Sequence, residues 1–299
     1  MRIMVTGAHG QVGWELSKRG KRKGFDILGL DRATLDITDQ SVVKRRVEKS
    51  EAVLVVNGAA YTAVDQAESE PELAFAANRD GPANLASACA DARIPLIHLS
   101  TDFVFDGEKK GPYLESDQVS PLNVYGKSKA AGETAVRERL AEHIILRTSW
   151  VYSERGGNFV KSMIRLGRER DVIRVVADQY GCPTYAADLA DTILIIAVQI
   201  QDNREIAWGT YHYCGKGVAS WHGLALETLS LAKQYTSLKV KTIEAIGTAD
   251  YPTPAKRPLN SVLDCSLMEK TFDIHQKPWQ QSLAQMIEKM FSVEESSNS

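Results

Sequence analysis

Tyr125 and Lys129 are the two side chains in this sequence with the clearest capacity for acid–base chemistry. They are four residues apart, so on a helix they lie on one face. A free tyrosine titrates near pH 10, and a nearby ammonium group favours the phenolate, which lowers the pKa of the phenol by about 1 to 3 units. Such a pair can transfer a proton when hydride arrives at or leaves a substrate.

The spacing is not specific by itself, because short motifs also arise by chance. A second pair, Tyr235 and Lys239, lies in a polar helical stretch with no strand, glycine loop or hydroxyl pair nearby. Upstream of Tyr125, in contrast, an apolar run ends in Ser100 and Thr101. These hydroxyls fall at the carboxyl end of a predicted strand, where ligands bind in open α/β sheets. We therefore interpret Tyr125 as the functional match and Tyr235 as the chance one.

A glycine-rich loop directly follows the first predicted strand and opens a helix. Its G-x-x-G-x-x-G pattern allows a tight turn, close approach of a pyrophosphate and close packing of helix on strand, while the helix N-terminus offers N–H groups to phosphate. The loop residues that we assign to a dinucleotide cofactor are Gly7, His9, Gly10, Gln11, Val12 and Gly13. His9 is interpreted as a loop residue that faces solvent or the cofactor, and not as a catalyst.

The choice between NADH and NADPH stays open. Asp31 ends the second predicted strand, where a carboxylate can accept hydrogen bonds from the adenosine ribose, which favours NAD. Arg32 follows at once, and a guanidinium there can pair with the 2′-phosphate of NADP. Asp36 is assigned to the same part of the cofactor site.

Short β-rich runs alternate with helical patterns through the first half of the chain, which predicts an α/β fold: a Rossmann-type doubly wound parallel sheet with a smaller C-terminal substrate-binding lobe. The predicted strands are Arg2 to Val5, Phe25 to Leu28, Val53 to Val56, Leu96 to Leu99 and Ile144 to Leu146. The predicted helices are Val12 to Lys21, Pro71 to Ala92, Pro121 to Glu142 and Asp188 to Gln199.

Two domains are expected. Residues 1–150 are predicted to bind NAD(P), and residues 151–299 to form mainly the substrate-binding lobe, because the alternation becomes irregular there. The helix near residues 186–200 is expected to pack back on the first domain, and the tail at 294–299 to be disordered.

The composition, 43% hydrophobic and 25% charged with a formal net charge of −2, is that of a globular protein without long-range attraction to nucleic acid or an anionic membrane. No apolar stretch approaches 18 residues. The four cysteines form no C-x-x-C pair, which is typical of thiols in a reducing compartment and argues against zinc. We expect a cytoplasmic protein that binds neither nucleic acid nor a membrane.

Taken in order, these motifs resemble the extended short-chain dehydrogenase/reductases, and the resemblance covers nearly the whole chain. The matching segments are Gly7 to Leu16, Ala59 to Asp65, Ser100 to Gly107, Pro121 to Lys127, Arg147 to Trp150 and Tyr251 to Pro258. Several motifs in a fixed order are far more specific than any one of them.

The resemblance implies a reduction that uses NADPH or NADH. Its expected substrate is a sugar nucleotide, dTDP-4-dehydro-L-rhamnose, and its product dTDP-L-rhamnose. By the resemblance, Tyr125 protonates the C4 ketone oxygen, Lys129 holds the nicotinamide ribose and tunes Tyr125, and Thr101 donates a hydrogen bond to the reacting oxygen. The other cofactor residues that it implies are Ala59, Ala60, Tyr61 and Ser100. The substrate residues that it implies are Val64, Asp65, Thr101, Phe103, Trp150, Lys256 and Arg257.

The sequence departs from the family pattern at two places. Phe103 stands where many members carry tyrosine, so one hydroxyl contact to the ligand is missing. Some members bind magnesium between subunits; here Glu15 matches, Asp188 stands where glutamate is expected, and the alternative that both are surface carboxylates stays open. A homodimer is compatible with this resemblance.

Three other functions compete with this reduction. Related dehydratases need a glutamate base at the position of Phe103, which makes elimination of water unfavourable here. A homologous fold serves as the non-catalytic β subunit of methionine adenosyltransferase, so an NADP-binding regulatory subunit stays open. Reduction of another nucleotide-linked 4-keto sugar also stays open.

Overall fold

A six-stranded parallel sheet lies at the centre of the part of the chain that the computed structural model describes, which is residues 1–202 and 205–297, the last five without side chains. The strands in chain order are β1 Arg2–Thr6, β2 Asp26–Leu30, β3 Leu54–Asn57, β4 Leu96–Thr101, β5 His143–Thr148, β6 Val151–Tyr152, β7 Val172–Val176, β8 Tyr180–Gly181, β9 Thr184–Tyr185, β10 Gly209–His212, β11 Ala219–Ser220 and β12 Thr242–Ile246. The α-helices are α1 Gln11–Arg22, α2 Gln40–Glu48, α3 Val64–Ala67, α4 Pro71–Phe75, α5 Gly81–Ala92, α6 Val124–Arg139, α7 Phe159–Glu169, α8 Ala186–Gln201, α9 Trp221–Ala232, α10 Ser266–Phe272 and α11 Trp279–Ser297.

The central sheet has the order β2-β1-β3-β4-β5-β10, and all of its pairings are parallel. The chain order reverses between β1 and β3, so the crossovers leave from opposite sides of the sheet at this point. Ligands of open α/β sheets bind in the crevice outside the carboxyl ends of the strands at such a switch. Here those ends lead into Gly7 and into Gly58.

Apolar side chains cover both faces of the sheet. On β1, Ile3 and Val5 face a core that includes Leu16 of α1 and Leu189 of α8, while Met4 faces the opposite core under α2 and α5. Because the side chains of the inner strands β1, β3, β4 and β5 alternate between two buried faces, these strands are continuous apolar runs in the sequence. The expected doubly wound fold is confirmed.

Helix α6 begins later than the proline at 121 predicts. Asn123 is extended and its side-chain oxygen accepts a hydrogen bond from Gly126 N at 2.7 Å, which makes Asn123 the N-cap and Val124 the first helical residue. At the other end the helix stops at Arg139, because Leu140 is extended. This start fixes where Tyr125 lies, in the first turn of the helix.

The stretch predicted as one helix from Pro71 to Ala92 is not uniform. A π-helical segment, Ala76–Asp80, separates α4 from α5. π-helical turns are rare in proteins, and those that occur are often found at functional sites. It holds Asn78, which is fully buried.

The second half of the chain returns to the central sheet at three places. Strand β10 pairs with β5 at the sheet edge, α8 packs on α1, and Met268 and Phe272 of α10 lie in the same core. Helices α7, α9 and α11 share a separate core that includes Ile164, Leu224 and Ile287. Residues 298–299 and the side chains of 293–297 lie outside the described part, so the disordered tail stays a prediction.

Helices that could cross a membrane are absent from the described part of the chain, since none there is both long enough and apolar enough.

We predict that Gly132→Ala destabilises the fold. A Cβ atom at Gly132 would overlap the backbone carbonyl oxygen of Asn78, so α6 would have to move off the π-helical segment. Overpacking of this kind costs about 1 to 3 kcal/mol of unfolding free energy. Gly111→Ala is the matched control, because a Cβ there meets no atom within 4 Å. Urea unfolding followed by circular dichroism measures both, and equal midpoints for the two variants would contradict the prediction.

Candidate active site

The glycine loop after β1 has the geometry of a phosphate cradle. Gly7 has φ +67°, and a Cβ there would lie 2.6 Å from the backbone of Gly58 and Ala59; a Cβ at Gly13 would overlap the Gly7 carbonyl. Helix α1 starts here with Gly10 at its N-cap and no side-chain cap. Its first N–H groups and the positive end of its dipole therefore suit a diphosphate. These residues fit a dinucleotide.

The side chain of Gln11 makes hydrogen bonds outside the phosphate loop. Its side-chain oxygen accepts hydrogen bonds from Ser153 Oγ at 3.0 Å and from Asn158 Nδ2 at 3.1 Å. The side chain thus connects the phosphate loop to the second half of the chain, which leaves the backbone of Gln11 as the part that can face a cofactor. Val12 packs against the core between sheet and helices.

The adenosine end of the predicted cofactor site lies at the end of β2. His9 Nδ1 is 3.0 Å from one carboxylate oxygen of Asp31, and the other oxygen accepts from the hydroxyl and the backbone N–H of Thr34. These contacts lower the pKa of Asp31, and the hydrogen bond from the Thr34 hydroxyl has the largest effect. Arg32 is highly exposed, with only a 3.8 Å contact to Asp36. The structure thus leaves both a carboxylate and a guanidinium at this end.

Asn78 joins the cofactor side to the helix that bears Tyr125. It accepts a hydrogen bond from Tyr61 N at 2.8 Å, donates to Tyr61 O at 3.0 Å and donates to Ser128 Oγ of α6 at 2.9 Å. Tyr61 is preceded by Ala59 and Ala60, so Asn78 holds the whole turn after β3. The Tyr61 hydroxyl itself donates to Glu70. Sequence reasoning missed Asn78, because no motif surrounds it.

Tyr125, Lys129 and Thr101 lie together at the carboxyl end of β4. Lys129 is buried, and its ammonium donates to the backbone oxygen of Leu99 at 2.7 Å. Thr101 is near enough to Tyr125 to hydrogen-bond the phenol. The ring of Phe103 contacts the ring of Tyr125 edge-on, with centroids 5.7 Å apart. This is the arrangement that the i, i+4 spacing predicts.

The expected effect of Lys129 on Tyr125 is absent in this structure. Burial raises the pKa of Tyr125 to about 12, with the Thr101 hydroxyl opposing it, and burial lowers the pKa of Lys129 to about 8. The expected lowering of the pKa of the phenol by the lysine is therefore not found, because burial is the larger effect. A raised pKa keeps the phenol protonated at neutral pH, which is the form that a proton donor needs.

The Ser100 hydroxyl binds a buried carboxylate of α6. It donates to Glu133 at 2.6 Å. Glu133 also accepts two short hydrogen bonds from Arg147 of β5, at 2.7 and 2.9 Å, and both of these charged residues are almost fully buried. Glu133 lies one further turn along α6 from Lys129 and raises the pKa of that lysine against the effect of burial. The spacing Tyr125, Lys129, Glu133 is the sequence signal that could have revealed it.

The predicted substrate residues near α3 bind one another. Arg257 donates to both carboxylate oxygens of Asp65, at 3.0 and 2.8 Å, and Ala255 N also donates to Asp65. The Arg257 hydrogen bond is the main cause of the lowered pKa of Asp65. Asn123 donates to the backbone oxygen of Lys256. The loop before Pro258 is thus fastened to the start of α6 and to α3, which begins at Val64.

Trp150 is held in a strained conformation. Its φ is +47°, in the left-handed region that a bulky residue rarely adopts. The indole stacks on Trp221 with centroids 3.5 Å apart, and a Cβ at Gly181 would lie 2.5 Å from it. Strain of this kind is found at ligand sites, where the surroundings enforce it.

The two carboxylates considered for magnesium do not fit a divalent cation. Glu15 is paired with Arg19 at 2.8 Å and with Lys289 at 3.3 Å, and Asp188 with Lys277 at 2.6 Å. Cationic side chains already neutralise both. Among the described residues no group of three or more acidic, histidine or cysteine side chains could hold a metal ion. The alternative that they are surface residues is also wrong, since they are 1% and 6% exposed.

Tyr235 and Lys239, the second pair with this spacing, share no site. Tyr235 stacks on Phe291, with centroids 5.3 Å apart, and Lys239 pairs with Asp171 at 2.9 Å.

A phosphate loop at the switch point of a doubly wound sheet, with a tyrosine, lysine and threonine at the next strand end, defines a nicotinamide-dependent oxidoreductase of the short-chain dehydrogenase/reductase type. The model of the protein family described as “RmlD substrate binding domain” matches residues 1–292 of this chain. The chain belongs to this family.

The relatives agree over the full length. A dTDP-4-dehydrorhamnose reductase of Sinorhizobium fredii is 45% identical over 288 residues, which covers 96% of this chain and 97% of the relative. The crystal structure of a dTDP-4-dehydrorhamnose reductase from Clostridium acetobutylicum is 39% identical with a TM-score of 0.90, covering 97% and 99% of the two chains. That of Bacillus anthracis, in complex with NADP, is 38% identical with a TM-score of 0.88, covering 96% and 99%.

We predict that Arg147→Met strongly destabilises the protein. The change leaves the Glu133 carboxylate buried without its main cation, and loss of one partner of a buried pair costs about 3 to 5 kcal/mol. Arg165→Met is the control, because it breaks an exposed pair with Glu169, which contributes about 0 to 1 kcal/mol. Chemical denaturation measures both, and a loss below about 1 kcal/mol for Arg147→Met would show that the buried pair is dispensable.

Proposed function

We propose that this protein catalyses the NAD(P)H-dependent reduction of the C4 ketone of dTDP-4-dehydro-L-rhamnose to dTDP-L-rhamnose, a step of dTDP-rhamnose and cell-surface polysaccharide biosynthesis. The observation that carries the proposal is the placement of the Tyr125 phenol and the Thr101 hydroxyl at one strand end, beside a dinucleotide loop. Full-length relatives named dTDP-4-dehydrorhamnose reductase support the choice of substrate.

The residues of this chain supply a proton and hold the reacting groups. When bound, a reduced nicotinamide supplies the hydride. Tyr125 gives its proton to the ketone oxygen as that oxygen becomes an alkoxide; the phenol is protonated at neutral pH. Thr101 hydrogen-bonds the same oxygen. Lys129 is fixed by the Leu99 carbonyl where it can hold the nicotinamide ribose.

Elimination of water is disfavoured by the neighbour of Asp102. The next residue, Phe103, offers an aromatic ring that packs on Tyr125 in place of a carboxylate base. Without a carboxylate at the position of Phe103, elimination lacks the base that the related dehydratases use, and reduction is the chemistry that is left.

The substrate assignments are proposals of the same kind. We assign Val64 and Trp150 to the sugar nucleotide, and Lys256 to its diphosphate. Since Asp65 neutralises Arg257, we propose that this pair shapes the wall of the site and that Lys256 supplies the cationic contact. Residues 1–150 would bind the cofactor and 151–299 mainly the substrate, with α8, β10 and α10 as the parts of the second half that join the first.

Location and assembly are part of the proposal. We propose a cytoplasmic enzyme, since its nicotinamide and sugar-nucleotide ligands are cytoplasmic metabolites. We also propose a homodimer. Sedimentation velocity at micromolar concentration is expected to give about twice the mass of one chain, and a single species of 33.0 kDa would contradict the dimer.

We predict that Tyr125→Phe lowers kcat by roughly 10² to 10⁴, because it removes the proton donor while the ring remains. Turnover is followed as loss of nicotinamide absorbance with dTDP-4-dehydro-L-rhamnose prepared in situ. Tyr235→Phe is the control and should match the unmodified protein, since Tyr235 stacks on Phe291 far from the strand end. Unaltered turnover in Tyr125→Phe would remove Tyr125 from the mechanism. Cofactor binding without turnover in the unmodified protein would favour a regulatory subunit or another keto sugar.

We predict that Asp31→Ala shifts cofactor preference toward NADPH. The change removes a carboxylate that can accept from the adenosine ribose and that would repel a 2′-phosphate, while it leaves Arg32 in place. The ratio of kcat/KM for NADPH and NADH measures the shift, with Asp36→Ala compared in parallel. An unchanged ratio in Asp31→Ala would mean that Asp31 does not touch the ribose.

A further inference from the structure

A buried carboxyl group lies directly behind the Thr101 hydroxyl. Asp102 is 2% exposed, and its Oδ1 is 2.9 Å from Thr101 Oγ1. The backbone N–H of Phe103 donates to the same hydroxyl oxygen at 3.2 Å. Asp102 thus shares the single proton of Thr101 with any other acceptor at this strand end, and the proposed reaction gives it no role so far.

The acceptor of the Thr101 hydroxyl proton determines whether Thr101 can donate a hydrogen bond to the substrate. A hydroxyl donates one hydrogen bond and accepts up to two. If the Asp102 carboxylate takes that proton, Thr101 can offer only a lone pair to the substrate, and a ketone oxygen needs donors. If Asp102 carries a proton of its own, it can donate to Thr101 Oγ1, and Thr101 is released to donate to the ketone.

We propose that Asp102 is a positioning residue whose protonation sets the direction of the Thr101 hydrogen bond, so that the protonated carboxyl turns Thr101 into a donor for the reacting oxygen. This inference rests on the proposed function. No proton is transferred between these groups. Asp102 keeps its O–H while it donates to Thr101, and Thr101 keeps its O–H while it donates to the substrate.

The surroundings of Asp102 make both forms accessible. Burial raises the pKa of the Asp102 carboxyl to about 6, against the opposing hydrogen bonds from the Ser261 and Thr101 hydroxyls. The titratable groups that interact electrostatically with Asp102 are Tyr125 of α6 and Cys182, which follows β8. A substrate that covers the strand end removes further water, which raises the pKa of a buried carboxyl again.

The sign of the pH dependence follows from this assignment. The donor form of Thr101 is present below the pKa of Asp102 and is lost as the pH rises through it. We expect kcat/KM for the sugar to fall roughly 10-fold or more between about pH 5.5 and 7.5, and kcat to fall at higher pH, since kcat reports the complex and kcat/KM the enzyme before the sugar binds. NADH at saturation is the cofactor, because it lacks the titrating 2′-phosphate of NADPH.

Asp102→Asn is the test variant. Its amide can donate to Thr101 at every pH, so we expect the inflection to vanish and activity at pH 7.5 to equal or exceed that of the unmodified protein. Asp106→Asn is the matched control from the same loop: Asp106 accepts from Tyr113 and from Glu108 N, and its loss should leave the profile unchanged. Cys182→Ser should also keep the inflection.

The outcomes separate the two proposals. Turnover with a flat kcat/KM profile in the unmodified protein overturns the role of Asp102 and leaves the reductase intact; this reading needs no variant to fold. An inflection that persists in Asp102→Asn, or that disappears in Cys182→Ser, also overturns it. Absence of turnover at every pH overturns the proposed function and this inference with it.

Discussion

The buried ion pair between Glu133 and Arg147 is the interaction on which the candidate site depends. It fastens the middle of α6 to β5, and through the Ser100 hydroxyl also to β4. Two charges are costly to bury, so the pair is stable only in the one geometry that satisfies both groups. Because Tyr125 and Lys129 lie on the same helix face, this geometry also sets their height above the strand ends.

A second constraint acts on a neighbouring face of α6. Gly132 admits the backbone of the π-helical segment, and Asn78 from that segment bonds both Ser128 and the turn at Tyr61. The helix is therefore fixed between a charged contact and a close backbone contact. The cofactor turn and the acid–base residues become parts of one rigid unit, as a preorganised site requires.

The sequence predicted what local patterns determine. Apolar runs and the glycine spacing identified the sheet and the phosphate loop, and the i, i+4 rule placed Tyr125 beside Lys129. It could not supply the pKa of Tyr125, because burial by distant parts of the chain outweighs the neighbouring lysine. The pairing of Asp65 with Arg257 likewise joins residues 192 positions apart, which no local pattern encodes. The pairs of Glu15 with Lys289 and of Asp188 with Lys277 were hidden for the same reason.

The π-helical segment makes the structure sensitive to the number of residues between α4 and α5. An α-helix turns by about 100° per residue, and a π turn accommodates one residue more than an α turn. Loss of one residue between Ala76 and Asp80 would leave α5 against the sheet but rotate α4 about the helix axis. Loops that take no part in the site can change length without moving it, whereas an insertion or deletion in this helix would rotate one of its halves relative to the other.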